Sequence, residues 1–176
     1  MNEVWNLDPI YKGFDDPAFE ADLTSAKEAI AQFTEFVQQL QEQEPKAALR
    51  RGIELQETIS TYAEKLGLYA SLRQSANTRD PDAASQMGRL MALYSSLAAP
   101  EAAFKDWATK LPNLMELVEA DDFLRDYRFL FSKMAESSRY LLPGKGEAIM
   151  ARMRLSGGSA WSDLQGYLTS TVPVEY

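Results

Sequence analysis

Apolar residues recur at helical spacing along nearly the whole chain. Phe19, Leu23, Ala26, Ile30, Phe33, Val37 and Leu40 follow at intervals of 4, 3, 4, 3, 4 and 3, which stacks them on one stripe of a helix. Asp16-Pro17 supplies an N-cap and a first-turn proline, and Pro45 is read as the far end of this helix. A second stripe runs through Leu55, Ile59, Tyr62, Leu66, Tyr69, Leu72 and Ala76. Asp80-Pro81 repeats the start signal, and Met87, Leu90, Met91, Tyr94, Leu97 and Ala98 carry a third helix to Pro100. Proline inside a helix removes a hydrogen bond and clashes with the preceding turn, so Pro100 must kink or divide this element before Phe104, Trp107 and Leu111.

Pro112 opens a short segment with Leu114, Leu117 and Val118, and Asp121 or Asp122 can cap the next helix. That helix carries Leu124, Tyr127, Phe131, Met134 and Leu141. After the Pro143-Gly144 break, Ile149, Met150 and Met153 suggest a short helix ended by Gly157-Gly158 in the left-handed conformation. Ser159 or Ser162 can cap a last helix carrying Trp161, Leu164, Tyr167 and Leu168. Residues 171–176 alternate and are β-branched, like the start of a strand. The fold class expected is all-α: an elongated antiparallel bundle of long helices with a short strand-like C-terminal tail, and a solenoid as second choice because no repeat of fixed length is visible. One helical domain over 1–176 comprises a strap at 1–16, the long-helix bundle at 17–142, short helices at 143–170 and the strand start at 171–176.

Composition then narrows the chemistry. Of the 176 residues none is cysteine or histidine, which excludes disulfides, thiolate sites, Ser-His-Asp triads and a His-Glu-x-x-His zinc helix built from this chain. The expectation is no catalytic residue, no bound cofactor and no metal site in these residues. A net charge of -8 speaks against nucleic acid as a partner. Residues 1–44 hold ten acids against Lys12 and Lys27, and the remainder balances. The segment reads as a solvated face, or alternatively as an acidic rim for a basic partner. The uncharged run Leu90–Pro100 is too short to cross a bilayer, so no membrane partner is expected, and Met1-Asn2-Glu3 does not begin a signal peptide. A cytoplasmic protein is expected.

Carboxylates are the remaining candidates for chemistry. Glu116, Glu119, Asp121, Asp122 and Asp126 crowd one stretch, but capping and solvation account for them, and a di-metal bundle would need a Glu-x-x-His element. Pro143-Gly144-Lys145-Gly146 lacks the first glycine and the hydroxyl of a phosphate loop, so it reads as a turn. Tyr62, Tyr69, Tyr94, Tyr127 and Trp107 fall on apolar stripes and read as core, although a buried phenol still needs a partner for its hydroxyl. The strap, Trp5-Asn6-Leu7-Asp8-Pro9-Ile10-Tyr11-Lys12-Gly13-Phe14, places large apolar groups before the first cap, with Phe14 near a hydrophobic-staple position. It reads as an extended chain pinned onto a groove.

Three blocks resemble the N-terminal region of the oligoendopeptidase F family, zinc peptidases related to thimet oligopeptidase. The first comprises Trp5, Leu7, Ile10-Tyr11, Gly13-Phe14-Asp15-Asp16-Pro17, Phe19 and Asp22-Leu23. The second is Tyr69-Ala70-Ser71-Leu72 with Ala76-Asn77-Thr78-Arg79-Asp80. The third runs from Arg139-Tyr140-Leu141-Leu142 through Glu147 to Ser156-Gly157-Gly158-Ser159-Ala160-Trp161-Ser162-Asp163-Leu164 and Leu168-Thr169-Ser170-Thr171. Trp5, Leu7, Tyr11, Gly13, Phe14, Tyr69, Leu72, Gly157, Ala160 and Trp161 are its family-like structural positions. The resemblance implies a helical domain walling a channel above a catalytic domain that binds zinc through His-Glu-x-x-His and cleaves oligopeptides internally. Zinc is then expected in that missing domain. The implied partners are the protein's own catalytic domain, docked on an exposed apolar patch, and oligopeptide substrates. The competing reading is a self-contained acidic helical interaction module.

Overall fold

A computed structural model describes residues 6–77, 79–140, 149–150, 153, 157–158 and 160–170, the side chains of Asp163, Tyr167 and Ser170 excepted. The elements are α1 (Pro17–Gln38), a 3₁₀ turn (Leu40–Glu42), α2 (Pro45–Ala76), α3 (Pro81–Ser95), α4 (Ala98–Thr109), α5 (Leu114–Glu119), α6 (Asp122–Asp126), α7 (Arg128–Ser138) and α8 (Ala160–Ser170). The fold is an all-α bundle, and no strand occurs among the described residues. Residues 171–176, which read as a strand start, lie outside them. Contacts group the chain into two compact units, Met1–Met134 and Ala135–Tyr176.

An acidic residue followed by proline starts each of the first three helices. Asp16 accepts a hydrogen bond from the Ala18 amide, Glu44 from Lys46 and Ala47, and Asp80 from Asp82 and Ala83. Each proline occupies the first helical position, where its missing N–H costs nothing. Pro45 therefore opens α2 rather than closing α1, which ends at Gln38. Pro100 neither kinks nor interrupts a helix: the chain breaks earlier, at Ser96-Leu97, and Pro100 sits in the first turn of α4, where no intrahelical donor is required. Asp121, not Asp122, caps α6. The stripe from Leu124, expected to be interrupted only at Ser138, is divided at Tyr127, between α6 and α7.

Within the first unit, α2 is the central column. Its 32 residues extend roughly 48 Å. Asp22 of α1 meets Lys65, whereas Phe33 meets Phe104 beside Gly52, so α1 and α2 run antiparallel. Arg73 pairs with Asp80, and the Phe104 ring packs on Gly52, so α3 and α4 run back along α2 beside α1. Glu20 and Arg89 tie α1 to α3 through two contacts of 2.7 and 3.2 Å. The core of one end joins Tyr11, Phe19, Leu23, Ala26, Leu66, Tyr69, Ala70 and Leu90. Farther along, Phe33, Leu49, Ile53, Phe104 and Ala108 are buried.

In the second unit α8 exposes Trp161 at 71% and Leu164 at 44% of their surfaces. Gly157 and Gly158 lie in a π-helical turn, and no described glycine has positive φ, so the left-handed stop expected there does not form. Ser162 lies inside α8 and donates to the Gly158 carbonyl at 3.1 Å instead of capping the helix. Ser159 lies outside the described residues.

Gly52 and Gly67 occupy the same helix in opposite surroundings. A Cβ on Gly52 would collide with the buried Phe104 ring, whereas one on Gly67 meets nothing within 4 Å. Gly52→Ala should lose stability, because overpacking of about 1–3 kcal/mol outweighs the gain in helix propensity of about 1 kcal/mol. Gly67→Ala should gain about 0.5–1 kcal/mol. Denaturant midpoints of the two variants check both signs.

Candidate functional site

The strap residues build the first arrangement of interest. The Ile10 and Tyr11 amides donate to the Leu7 carbonyl, so the strap turns at residues 7–11 rather than running extended there as expected. Tyr11 is fully buried, with its ring edge-on to Phe19 and to Tyr69, each at 5.2 Å between centroids. Phe14 packs edge-on against the same two rings, as its position ahead of the helix cap leads one to expect. Leu7 packs on this cluster, Gly13 is buried and Leu72 is half-buried. Trp5 and Thr78 lie outside the described residues. Gly157, Ala160 and Trp161 belong to the second unit.

One carboxylate organises the polar side of the cluster. The Tyr11 hydroxyl and the Lys65 ammonium both donate to Asp22 Oδ2, each at 2.6 Å, and Lys65 lies 4.6 Å from the Tyr11 ring centre. Burial pushes the Tyr11 phenol up, and its hydrogen bond to Asp22 pushes it the same way. Burial would also raise the Asp22 carboxyl, but the hydrogen bonds from Lys65 and Tyr11 outweigh it and hold the group below its ordinary value. Arg73 lies over the Phe14 ring, donates to the Tyr69 hydroxyl at 3.2 Å and pairs with Asp80 at 3.1 Å. These contacts hold the strap on the bundle. They do not assemble a reactive centre.

The second arrangement is an open groove of about 560 Å³ between α2, the α3–α4 junction and the α6–α7 region. Ile53, Ile59, Ala63, Leu97 and Leu130 give it an apolar lining, and Gln56, Glu57, Ser60, Glu101, Tyr94 and Tyr127 supply polar groups. Tyr127 donates a short hydrogen bond to Glu57 Oε1. That bond, with lesser contributions from burial and the negative charge of Glu57, pushes the Tyr127 phenol up to about 12. The Tyr94 hydroxyl is buried without a hydrogen-bond partner among the described residues, and burial raises its pKa. Of the five aromatic residues read as core, Tyr69 and Trp107 are buried, whereas Tyr62, Tyr94 and Tyr127 are half-buried. Phe129 and Leu130 of α7 are exposed, Phe129 at 75%.

Three of the five acids in the acid-rich stretch are spent on structure. Asp121 caps α6 and pairs with Arg50 at 3.2 Å, Glu119 pairs with Arg128 at 2.9 Å, and Asp122 pairs with Arg125 at 3.0 Å. Among the described residues no group of three potential ligands is placed to hold a metal ion. With histidine and cysteine absent from the sequence, the donor set does not fit a zinc site of the peptidase type. The acids of the first segment are likewise partly committed: Glu20 is bound to Arg89, Asp22 to Lys65 and Tyr11, and Asp16 and Glu44 cap helices. Among the described residues no helix is long and apolar enough to cross a membrane.

The pairings Asp22–Lys65, Arg50–Asp121 and Glu57–Tyr127 were not read from the sequence. They join residues 43, 71 and 70 positions apart, and helical periodicity carries no signal for polar contacts between helices. Asp22 does stand inside the first family-like block, which was the one available pointer.

Residues 112–172 match the family model described as Oligopeptidase F, and this match supports an N-terminal domain of an oligoendopeptidase F-like peptidase. It overlaps the third block of the resemblance. No curated protein and no solved structure matches the chain.

Two isosteric deletions separate the roles of the tyrosines. Tyr11→Phe should cost about 1–2 kcal/mol by removing a buried hydrogen bond to a carboxylate, whereas Tyr94→Phe should be neutral or stabilising because its hydroxyl has lost water without gaining a partner. Equilibrium unfolding of both variants checks the contrast. Acid titration of stability checks Asp22. Because its folded pKa is depressed, its contribution is present above the unfolded pKa and fades as pH falls through the lower folded value. Asp22→Asn should be less stable at neutral pH and lose less stability on acidification.

Proposed function

We propose that this chain, as the N-terminal helical domain of an oligopeptidase F-like peptidase, forms a wall of the route by which peptides reach a zinc-bearing catalytic domain outside these 176 residues. The match over 112–172 in a chain without a single histidine is the observation that carries this reading. A helical fold, strap residues in the order of the family's first block, and exposed apolar groups such as Phe129 and Trp161 support it. Such a wall acts by exclusion. A folded protein cannot enter a narrow passage between helices, whereas a short flexible peptide can, so the domain contributes size selection and peptide contact while the chemistry is done elsewhere.

In this reading the partners are the catalytic domain and oligopeptides, the setting is the cytoplasm, and zinc is held by the catalytic domain. The alternative of an acidic interaction module is less well supported, because Glu20 and Asp22, two acids of α1, are engaged by Arg89 and Lys65.

Two measurements test the reading. The coding sequence beyond Tyr176 should encode a His-Glu-x-x-His helix, and a stop codon shortly after Tyr176 would contradict the proposal. The 176-residue protein should leave a fluorogenic oligopeptide intact with or without added zinc, while the protein carrying the catalytic domain cleaves it and spares a folded protein of the same sequence content. Zinc-dependent cleavage by the 176-residue protein itself would overturn the division of labour.

A further inference from the structure

We propose that the groove between α2 and the α3–α4 junction binds the long cationic side chain of a peptide, lysine or arginine, with the stem on the apolar lining and the charged head between Glu57 and Glu101. This inference goes beyond the peptidase reading and does not depend on it. The groove of about 560 Å³ combines two features that a lysine or arginine side chain also combines. Leu130, 38% exposed, offers aliphatic surface suited to a methylene chain, above a floor of the buried Ile53, Ile59 and Leu97. Glu57 and Glu101 present carboxylates, and among the described residues no lysine or arginine lines the groove.

The charge there is not neutralised from within. Glu101 makes no ion pair or side-chain hydrogen bond among the described residues, in contrast to Glu20, Asp22, Glu119 and Asp121, which are all paired. Among the described residues the Glu57 side chain engages only Tyr127, a neutral donor that orients the carboxylate without cancelling its charge. Lys105, one helical turn beyond Glu101, lines an adjoining cavity that shares Gln56 and Glu101 with the groove, and it forms no ion pair with Glu101 among the described residues. An alkylammonium or guanidinium entering the groove would therefore meet two acceptors and an apolar wall at the same time. A neutral chain of equal length gains the wall alone, and an acidic one is repelled.

The test uses the 176-residue protein and three acetylated, amidated pentapeptides that carry lysine, norleucine or glutamate in an otherwise all-alanine frame. Amide chemical shifts are followed during titration. The lysine peptide should bind about fivefold more tightly than the norleucine peptide, the scale of one partly exposed charge pair. Its shifts should map to α2 and α4 around Glu57, Ser60 and Glu101, and its advantage should shrink in high salt. The double variant Glu57→Gln/Glu101→Gln should lose that advantage while retaining its helical circular dichroism. Glu116→Gln, which removes the same type of charge outside the groove, should keep it. Equal binding of lysine and norleucine peptides, shifts mapping elsewhere, equal losses in the groove and control variants, or no binding by the lysine peptide would each overturn the proposal.

Discussion

The close packing of α2 against α1 and against α3–α4 is the constraint on which the first unit depends. It is set by small and flat contacts rather than by polar ones. Gly52 leaves room for the Phe104 ring, which also meets Phe33 at 6.0 Å, so three helices converge at one point near the start of α2. Near its other end Leu66, Tyr69 and Ala70 close on Phe19 and Leu23. Interiors packed to crystal-like density transmit small misfits, so these two points fix how the whole length of α2 lies against its neighbours. The strap cluster and the groove are both built on that helix. Tyr69 and Lys65 receive the strap, and Ile53, Gln56, Glu57 and Ser60 form one side of the groove.

Electrostatics adds orientation to this frame more than stability. The inter-helix pairs Glu20–Arg89, Asp22–Lys65 and Arg50–Asp121 are each partly exposed, and pairs of that kind contribute about 0–1 kcal/mol. Their value lies in choosing among arrangements that apolar packing alone would leave close in energy. Arg50 illustrates this: it bridges Glu54 on its own helix and Asp121 at the α6 cap while lying over Phe123, and so positions α6 on α2. The acids whose partners come from the fold lose their availability to outside ligands. Glu101 retains it.

Legibility in the sequence follows the range of the interaction. Helices were legible because the stripes of α1 and α2 are local repeats, and Asp16-Pro17 and Asp80-Pro81 are local start signals. Glu44-Pro45 was misread as a stop because glutamate is an unusual cap, yet its longer side chain still reaches the Lys46 and Ala47 amides. The division at Ser96-Leu97 was displaced from Pro100 because a proline tolerated in a first turn moves the break upstream of itself. The strap's anchoring role was visible from Tyr11 and Phe14 ahead of the cap. The groove was not, since Glu57, Glu101 and Tyr127 sit on three different elements and each looks like an ordinary surface or stripe residue in its own helix.

A helical unit with the proposed role of shaping peptide access needs the strap, α1, α2 and α4 to behave as one body. Native-state hydrogen exchange under increasing denaturant measures this most directly. Amides at Leu23 and Phe33 in α1, Ile53 and Leu66 in α2 and Phe104 in α4 should converge on one opening free energy with one denaturant dependence. Separate opening energies for the Gly52 end and the Tyr69 end of α2 would contradict the account, because the strap cluster and the groove would then belong to independently unfolding parts.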